Sequence, residues 1–499
     1  MFILLAVSTL LIWLTVRQYQ KASRLPPGPL SFPLIGNLPQ IIFYSWKTGG
    51  IVPTLDVFRK KYGNIFTLWL GPLPHVNIAD YDTAQEVFVK NGSKYADKFT
   101  APIFHDLRKG LGVTFTNGEH WQEIRRFALQ TFRDMGVGKD QMEIRIMEEL
   151  DARCAEIDKN AKNGVTVQQA AMFFDLVIGS IINSFLVGYR FEEHNKGEFF
   201  EIKKVMDASM EAFAPFDLTA PVWMLKRFFK RRYALMADLQ KNIARFTADK
   251  AVKRVTEIEN GDYVVTEGDP KDFTDAFILK MQAEKMKDGE NHIFTKDNLE
   301  ATIIDLWFAG QETTSTTLVS GFNQLLLQPN IMEKARDELM KVTDGGSRNL
   351  SLSDRPSTPY YNALLAEVQR HASVLNVNFW RYNHEFTYMG GQPVDGGVLV
   401  AAQLSALHVN EDVFENPGLF DPERYLRDEK LLQKVIPFGV GKRSCLGESM
   451  ARAELYLIFG NLLLRYEFKA NGKLSSEEIL PFSAAKRPFK LEMQFIKLH

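Results

Sequence analysis

The segment Phe438-Gly439-Val440-Gly441-Lys442-Arg443-Ser444-Cys445-Leu446-Gly447 holds the residues best spaced to do chemistry. Its glycines permit backbone shapes and close approaches that a side chain forbids. A helical pattern, Glu448 to Leu464, follows directly. Cys445 is therefore expected near a helix N-terminus, where the dipole and unused N–H groups favour the thiolate over the thiol. A thiolate is the ligand a haem iron needs when the protein must push electron density toward cleavage of an O–O bond. The other cysteine, Cys154, reads as a buried, inert thiol. Two cysteines this far apart make no disulfide framework, and their scarcity fits a reducing, cytosol-facing body.

A second constellation is Leu306-Trp307-Phe308-Ala309-Gly310-Gln311-Glu312-Thr313-Thr314, inside a long helical pattern. Glycine in a helix interior costs roughly 1 kcal/mol relative to alanine. Ala309-Gly310 therefore implies that something approaches the backbone closely there. Glu312 and Thr313 set an acid beside a hydroxyl. The hydroxyl both donates and accepts, and an acid can link it to solvent, which suits proton delivery. Read alone, the same pair also suits a helix cap or a solvated polar face. Trp121 and Arg125 share a helix face at i and i+4. Glu367 and Arg370 sit at i and i+3, and Arg424 follows in Phe420-Asp421-Pro422-Glu423-Arg424-Tyr425.

The elements that must position these residues are mostly helical. Helical patterns cover 118–133, 139–160, 167–188, 197–212, 224–258, 272–285, 297–327, 330–342, 357–373 and 445–464. Ile65 to Leu70 and His75 to Ala79 read as paired strands around Gly71-Pro72, with short strand-like stretches at 378–400 and near the C-terminus. The strands read as local hairpins, not as a βαβ alternation. Gly390-Gly391 and Gly396-Gly397 are turn glycines, and the chain carries no dinucleotide or flavin fingerprint. The fold class is mainly α with small β-sheets.

The chain has 499 residues, 45% hydrophobic and 24% charged, enough for a large core. Its net charge of -1 gives no global argument for a nucleic-acid partner. Phe2 to Val16 is apolar apart from Ser8, Thr9 and Thr15, and Arg17, Lys21 and Arg24 follow. A helix over this run reaches roughly 23 Å, short of the ~30 Å hydrocarbon core, so spanning draws on Met1, Gln18 and Tyr19 or on bilayer thinning. No basic stretch precedes the run and no small-x-small site closes it, which favours an uncleaved anchor over a signal peptide. The trailing basic residues keep that side in the cytosol. Leu25-Pro26-Pro27-Gly28-Pro29 is a stiff stop. The expected organisation is an anchor at 1–24, a proline-rich hinge at 25–38 and one catalytic domain at 39–499.

Ala214-Pro215-Phe216 through Leu225 is apolar and runs into Lys226-Arg227-Phe228-Phe229-Lys230-Arg231-Arg232. This suits a bilayer interface, or equally an ordinary basic helix face. Arg126, Arg133, Lys442 and Arg452 suit a dock for an acidic electron donor, or scattered charge.

In the order anchor, proline hinge, Trp-x-x-x-Arg helix, acid–alcohol helix, Glu-x-x-Arg helix and F-x-x-G-x-R-x-C-x-G loop, the chain resembles the cytochrome P450 family nearly end to end. It is most similar to the microsomal animal enzymes that oxidise drugs, steroids and fatty acids. The resemblance implies a triangular, mostly helical body holding haem b between two helices, with Cys445 as axial ligand of the iron. It implies that Trp121, Arg125, Arg381 and Arg443 contact the haem propionates, with Lys98 a weaker candidate. Glu312 and Thr313 match the proton-delivery pair, and Glu367, Arg370 and Arg424 match a structural ion network. Asn376 departs from the family, many members of which have proline there, and this affects the following strand and one pocket wall.

The implied activity is insertion of one atom of dioxygen into an apolar substrate such as a fatty acid, steroid or foreign compound. Electrons would come from an NADPH-dependent cytochrome reductase, with cytochrome b5 a further donor left open. The implied site is the endoplasmic reticulum membrane, with the catalytic domain facing the cytosol. Rival readings are a haem-thiolate isomerase, against which the Glu312-Thr313 pair argues, and a non-catalytic haem-binding sensor or carrier. Phe99, Phe104, Phe115, Phe213 and Phe308 point to an apolar ligand, with walls from 98–117, 208–216 and 374–380.

Overall fold

The computed structural model describes residues 2–137, 140–212, 215–289, 291–474, 486 and 490–498. Helices dominate, and most lie where the periodicity put them: Gly118–Asp134, Asp140–Lys159, Lys196–Ala212, Phe273–Asp288, Lys296–Leu327, Pro329–Val342, Pro359–Ala372 and Glu448–Arg465. The described strands are β1 (Ile65–Leu70), β2 (Leu73–Ile78), β3 (Val165–Gln169), β4 (Arg381–Asn383), β5 (Thr387–Met389), β6 (Gln392–Val394), β7 (Val398–Ala402), β8 (Tyr466–Ala470) and β9 (Glu492–Lys497). The chain forms two compact units, each built from separated pieces of sequence.

The first unit comprises Met1–Phe99 and Ala366–Cys445, with a short later piece containing Lys486. Its sheet runs β1-β2-β7-β4. All six residues of β1 are buried, because alternate side chains feed two apolar clusters. Ile65 and Trp69 join Val76, Ile78, Val398 and Val400. Phe66 and Leu68 join Leu55 and Phe58 of the helix Ile51–Tyr62. That helix and its neighbour Leu38–Thr48 escaped the sequence reading. The expectation of purely local hairpins is also corrected. β1–β2 and β5–β6 are hairpins, the latter closing through Gly390-Gly391, but β2 pairs in parallel with β7, His75 against Leu399.

The same unit holds the ion network the Glu-x-x-Arg pattern implied. Glu367 is 0% exposed and accepts from Arg370 Nε at 2.9 Å and Nη2 at 2.8 Å. It also accepts from Arg424 Nε at 3.2 Å, Tyr425 OH at 2.7 Å and the Asp421 amide at 2.9 Å. Arg370 reaches on to the His408 carbonyl at 2.8 Å, and the His408 ring accepts from the Ile436 amide at 3.0 Å. Burial holds His408 neutral, its pKa lowered to about 3. The network thus ends on the segment that leads into the Cys445 loop.

The second unit comprises Thr100–Leu365, Leu446–Ser476 and Pro488–His499. The pattern at 167–188 begins as strand: β3 pairs with β9, which also pairs with β8. The helix proper, Ala170–Val187, is apolar and long enough to cross a membrane, but it is mostly buried and serves as core. It packs along Lys296–Leu327. Gly310 of the long helix receives Ile182 so closely that a Cβ there would lie 2.7 Å from Ile182 Cδ1. The close approach expected at Ala309-Gly310 is therefore, at Gly310, that of a neighbouring helix.

The pattern at 224–258 breaks into three helices, Val222–Phe228, Lys230–Thr247 and Asp249–Glu259. Leu225 and Met236 would lie roughly 16 Å apart along one unbroken helix. The turn at Phe229 brings both into one cluster with Ala101, Ile103 and Ala220.

Candidate active site

The Cys445 loop is held shut by its own backbone. The Cys445 amide donates to the Phe438 carbonyl at 2.8 Å, and the Ser444 amide to Gly441 at 3.0 Å. Gly441 has φ +78°, and a Cβ there would fall 1.8 Å from the Phe88 carbonyl oxygen. Only glycine fits, for conformational and steric reasons together. The loop leaves Cys445 exposed, whereas Cys154 is buried and burial pushes its thiol up, as an inert core cysteine requires. The helix Glu448–Arg465 begins three residues on.

Three cationic residues gather in the same unit. Lys98 and Arg381 face each other in a β-bridge, flanked by Phe99 amide to Trp380 carbonyl and Tyr382 amide to Asp97 carbonyl, both 2.9 Å. Arg443 Nε donates to the Ala96 carbonyl at 2.7 Å. The short segment 96–99 therefore ties together Arg443, Arg381 and Lys98, including the candidate that sequence alone left weakest. In the second unit Trp121 and Arg125 do share a face, the guanidinium lying 5.9 Å from the indole centroid.

The long helix, capped by Thr295, is buried along 314–323 but opens at Ala309. Thr313 Oγ1 donates to the Ala309 carbonyl at 2.7 Å. Glu312 turns to the neighbouring helices, where Lys203 Nζ lies 3.1 Å from Oε1 and 3.4 Å from Oε2. The two side chains predicted to work together are thus adjacent in sequence, but among the described residues no hydrogen bond joins them. Burial raises the Glu312 carboxyl, Lys203 lowers it, and Asp175 and Asp207 raise it again, leaving it pushed up to about 7. A pKa near neutrality suits a group that must take and give a proton at working pH.

Several residues here escaped sequence reasoning. Asp305, two turns before Glu312, accepts from the Val113 amide at 2.8 Å, the Thr114 amide at 2.9 Å and Arg108. Asn298 accepts from Gly112 at 2.9 Å. The loop after helix Pro102–Arg108 is stapled to the long helix by these bonds. Glu454 is fully buried beside Thr314, and burial pushes it up to about 8, so it is neutral at pH 7. The clearest signal lay in Asp175, a lone acid in an 18-residue apolar run, because such a group demands a partner. Phe104 and Phe115 stack at 5.3 Å, while Phe99 meets Trp380 at 6.2 Å. Phe213 lies outside the described residues.

The donor set fits a haem. A thiol is exposed, and Lys98, Arg381 and Arg443, whose side chains can neutralise carboxylate groups, are tied through one short backbone segment. Among the described residues no group of three His, Cys, Asp or Glu could hold a metal by itself. A model of the cytochrome P450 family matches residues 26–493. The chain belongs to the cytochrome P450 family. It is 48% identical over all of both chains to probable cytochrome P450 cyp-35D1 of Caenorhabditis elegans. It is 32% identical to cytochrome P450 2C28 of Mesocricetus auratus, over 94% of this chain and 93% of that one. Cytochrome P450 2H2 of Gallus gallus is also 32% identical, over 99% and 98%. This cytochrome P450 is a haem-thiolate monooxygenase with haem b as its cofactor, oxidising apolar substrates with electrons drawn from NADPH. Nothing in these likenesses favours the isomerase or the sensor.

Proposed function

We propose that Cys445 is the axial thiolate of this cytochrome P450, and that Glu312 and Thr313 deliver the protons dioxygen cleavage consumes. Bound haem supplies the iron at which dioxygen is activated for insertion into an apolar substrate. The observation that carries the reading is the closed Cys445 loop, seated on Phe88 through Gly441 and on Ala96 through Arg443. Trp121, Arg125, Arg381 and Arg443 hold the propionates, with Lys98, paired with Arg381 along the backbone, a further candidate.

The Thr313 hydroxyl rests on its own helix and is displaced from Ala309 when it serves the relay. Thr313→Ala keeps a good helix former in place, so haem content and substrate binding survive. Reducing equivalents then leak as hydrogen peroxide. The test is a paired assay of NADPH, peroxide and product with reductase added. Peroxide per NADPH rises and product per NADPH falls. An unchanged product-to-NADPH ratio assigns the relay to other groups.

Residues 1–24 anchor the protein in the endoplasmic reticulum membrane, 25–38 form the hinge and 39–499 the cytosol-facing catalytic domain. In support, the helix Phe2–Ala22 shows Phe2, Leu5, Leu10, Ile12, Trp13 and Val16 to solvent. Its polar end docks on the first unit: Gln18 donates to Ser31 at 2.6 Å, and Lys21 to the Gly397 carbonyl at 3.3 Å. Trp223, 66% exposed, and Phe228 beside Arg227 suit a second lipid contact. Leu225 and Arg232 of that segment are engaged inward instead, Arg232 on Asp217. The electron donor is an NADPH-cytochrome reductase; Arg126 and Arg133 of the second unit and Lys442 of the first are each exposed and available to acidic groups, whereas Arg452 donates to Glu448 at 2.9 Å.

A further inference from the structure

A left-handed serine and a buried imidazole meet at the root of the Cys445 loop. Ser373 follows the helix Pro359–Ala372 with φ +32°, its amide donating to the Gln369 carbonyl at 3.0 Å. Helices often end on such a residue, but the place favours glycine, which has no Cβ to strain. A serine held there has a use for its hydroxyl, and Oγ lies 3.1 Å from Nδ1 of His408. Both side chains are buried. His408 closes the short helix Leu404–His408, and its Nε2 lies 3.0 Å from the Ile436 amide. An amide only donates, so Nε2 carries the lone pair. Burial keeps the ring neutral, and a neutral imidazole has one N–H. That proton is therefore on Nδ1 and is donated to Ser373 Oγ. Beyond Ile436 the bonds continue: the Gly439 amide donates to the Ile436 carbonyl at 3.0 Å, and the Cys445 amide to the Phe438 carbonyl at 2.8 Å. Ile436 and Val440 pack on the apolar cluster that contains Leu404 and Leu407.

We propose that His408 is a positioning residue for Cys445: its ring, fixed by Ser373 in the tautomer that leaves Nε2 bare, holds the Ile436 amide and so the start of the loop that presents the sulfur. This rests on Cys445 being the haem ligand assigned above. The His408 carbonyl is taken by Arg370 Nη1 at 2.8 Å, so the backbone and the ring of one residue serve different neighbours. The backbone belongs to the Glu367 network and holds the fold. The ring belongs to the loop. With Nδ1 bare and Nε2 protonated, two donors would meet at Ile436 and the loop would lose its first tie. Groups that orient a metal ligand without touching the metal typically change its hold by about 10–100-fold when removed. A loop loosened at Ile436 lets the exposed sulfur move, and a sulfur out of its place is more readily protonated and lost as thiolate.

The test uses the haem-loaded full chain and two readouts: hydrogen exchange at residues 435–439, and the lifetime, on mild warming, of the thiolate band of the reduced carbon monoxide complex. His408→Asn carries its amide group to the place of Nδ1 and leaves Ile436 without an acceptor. Exchange at Ile436 speeds by about tenfold, the lifetime of the band shortens by about tenfold or more, and exchange in the helix Pro359–Ala372 stays as it was. His408→Gln carries its oxygen to the place of Nε2 and restores most of both. A purely structural role would not separate Gln from Asn, and would speed exchange in both places alike. Ser373→Gly suits the left-handed backbone, so it folds, and it shortens the lifetime by a smaller factor. Unchanged exchange and lifetime in both His408→Asn and Ser373→Gly overturn the proposal, as does equal loss in His408→Gln and His408→Asn. Should His408→Asn fail to load haem, Ser373→Gly decides alone. Faster exchange at Ile436 with an unchanged lifetime overturns the tie to Cys445. If the natural protein shows no thiolate band while exchange responds as described, the hold on the loop stands and the ligand assignment falls.

Discussion

Replacing Glu367 by Gln changes one oxygen to nitrogen and removes one charge, in a side chain that is 0% exposed. Oε1 accepts from Arg370, Arg424 and the Asp421 amide, and Oε2 from Arg370 and Tyr425. Whichever oxygen becomes the amide nitrogen, it then points a donor at two or more donors. Two buried guanidiniums also lose their countercharge. Removing one member of a buried ion pair costs about 3–5 kcal/mol. That is a large fraction of the roughly 5–15 kcal/mol by which a folded protein is stable.

Burial alone would raise the Glu367 carboxyl, but the bonds from Arg370 and His371 outweigh it and hold the group far below the ordinary carboxylate range. The sign follows: a depressed folded pKa contributes stability that is fully present above the unfolded value of about 4.3 and is lost as pH falls below it. Urea unfolding at pH 7, followed by far-ultraviolet circular dichroism, should therefore place Glu367→Gln about 3–5 kcal/mol below the natural protein. The gap should hold between pH 8 and 6 and narrow in acid. Arg424→Met, which leaves the two-bond Arg370 pair intact, should lose less. A Glu367→Gln deficit under about 1 kcal/mol at pH 7 would refute the reasoning, since that is no more than an average point mutation costs.

Cys445→Ser should lose the absorption band characteristic of the thiolate-bound, reduced carbon monoxide complex; if the band persists, another residue ligates the iron. Deleting residues 1–24 should move much of the protein to the soluble fraction while haem binding survives, with partial membrane association remaining through Trp223 and Phe228. Failure of the shortened protein to bind haem would show that the docked end of the first helix is part of the body. Asp305→Asn should speed hydrogen exchange at Val113 and Thr114 by about tenfold or more, because a bond to a charged group contributes roughly 1.5–3 kcal/mol. Unchanged exchange there would mean the loop is held by something else.

Local periodicity made most helices legible, because one buried face imposes a 3.6-residue repeat whatever it packs against. The Cys445 loop was legible because glycine, arginine and cysteine stood at spacings few other structures require. What stayed hidden was long-range partnership. Nothing near His75 announces Leu399, and nothing near Lys98 announces Arg381. The 224–258 pattern looked continuous because a helix break at Phe229 leaves the apolar spacing on either side intact. Glu312 was identified from its neighbour Thr313, yet the partner it touches is Lys203, 109 residues earlier. A lone Asp175 among apolar residues did signal a buried charge, but not which cation would answer it.

The pairing of β2 with β7 also has a consequence in time. His75 leaves the ribosome long before its partner Leu399 exists. At about 5–20 residues per second, roughly 15 to 65 s pass before that strand can be made. During this interval β2 offers an unpaired edge and the apolar faces that Val398 and Val400 will cover, the kind of edge that recruits other chains. The first unit to begin synthesis is thus unable to close until most of the second has been made, and a nascent chain halted before residue 398 should be a chaperone client.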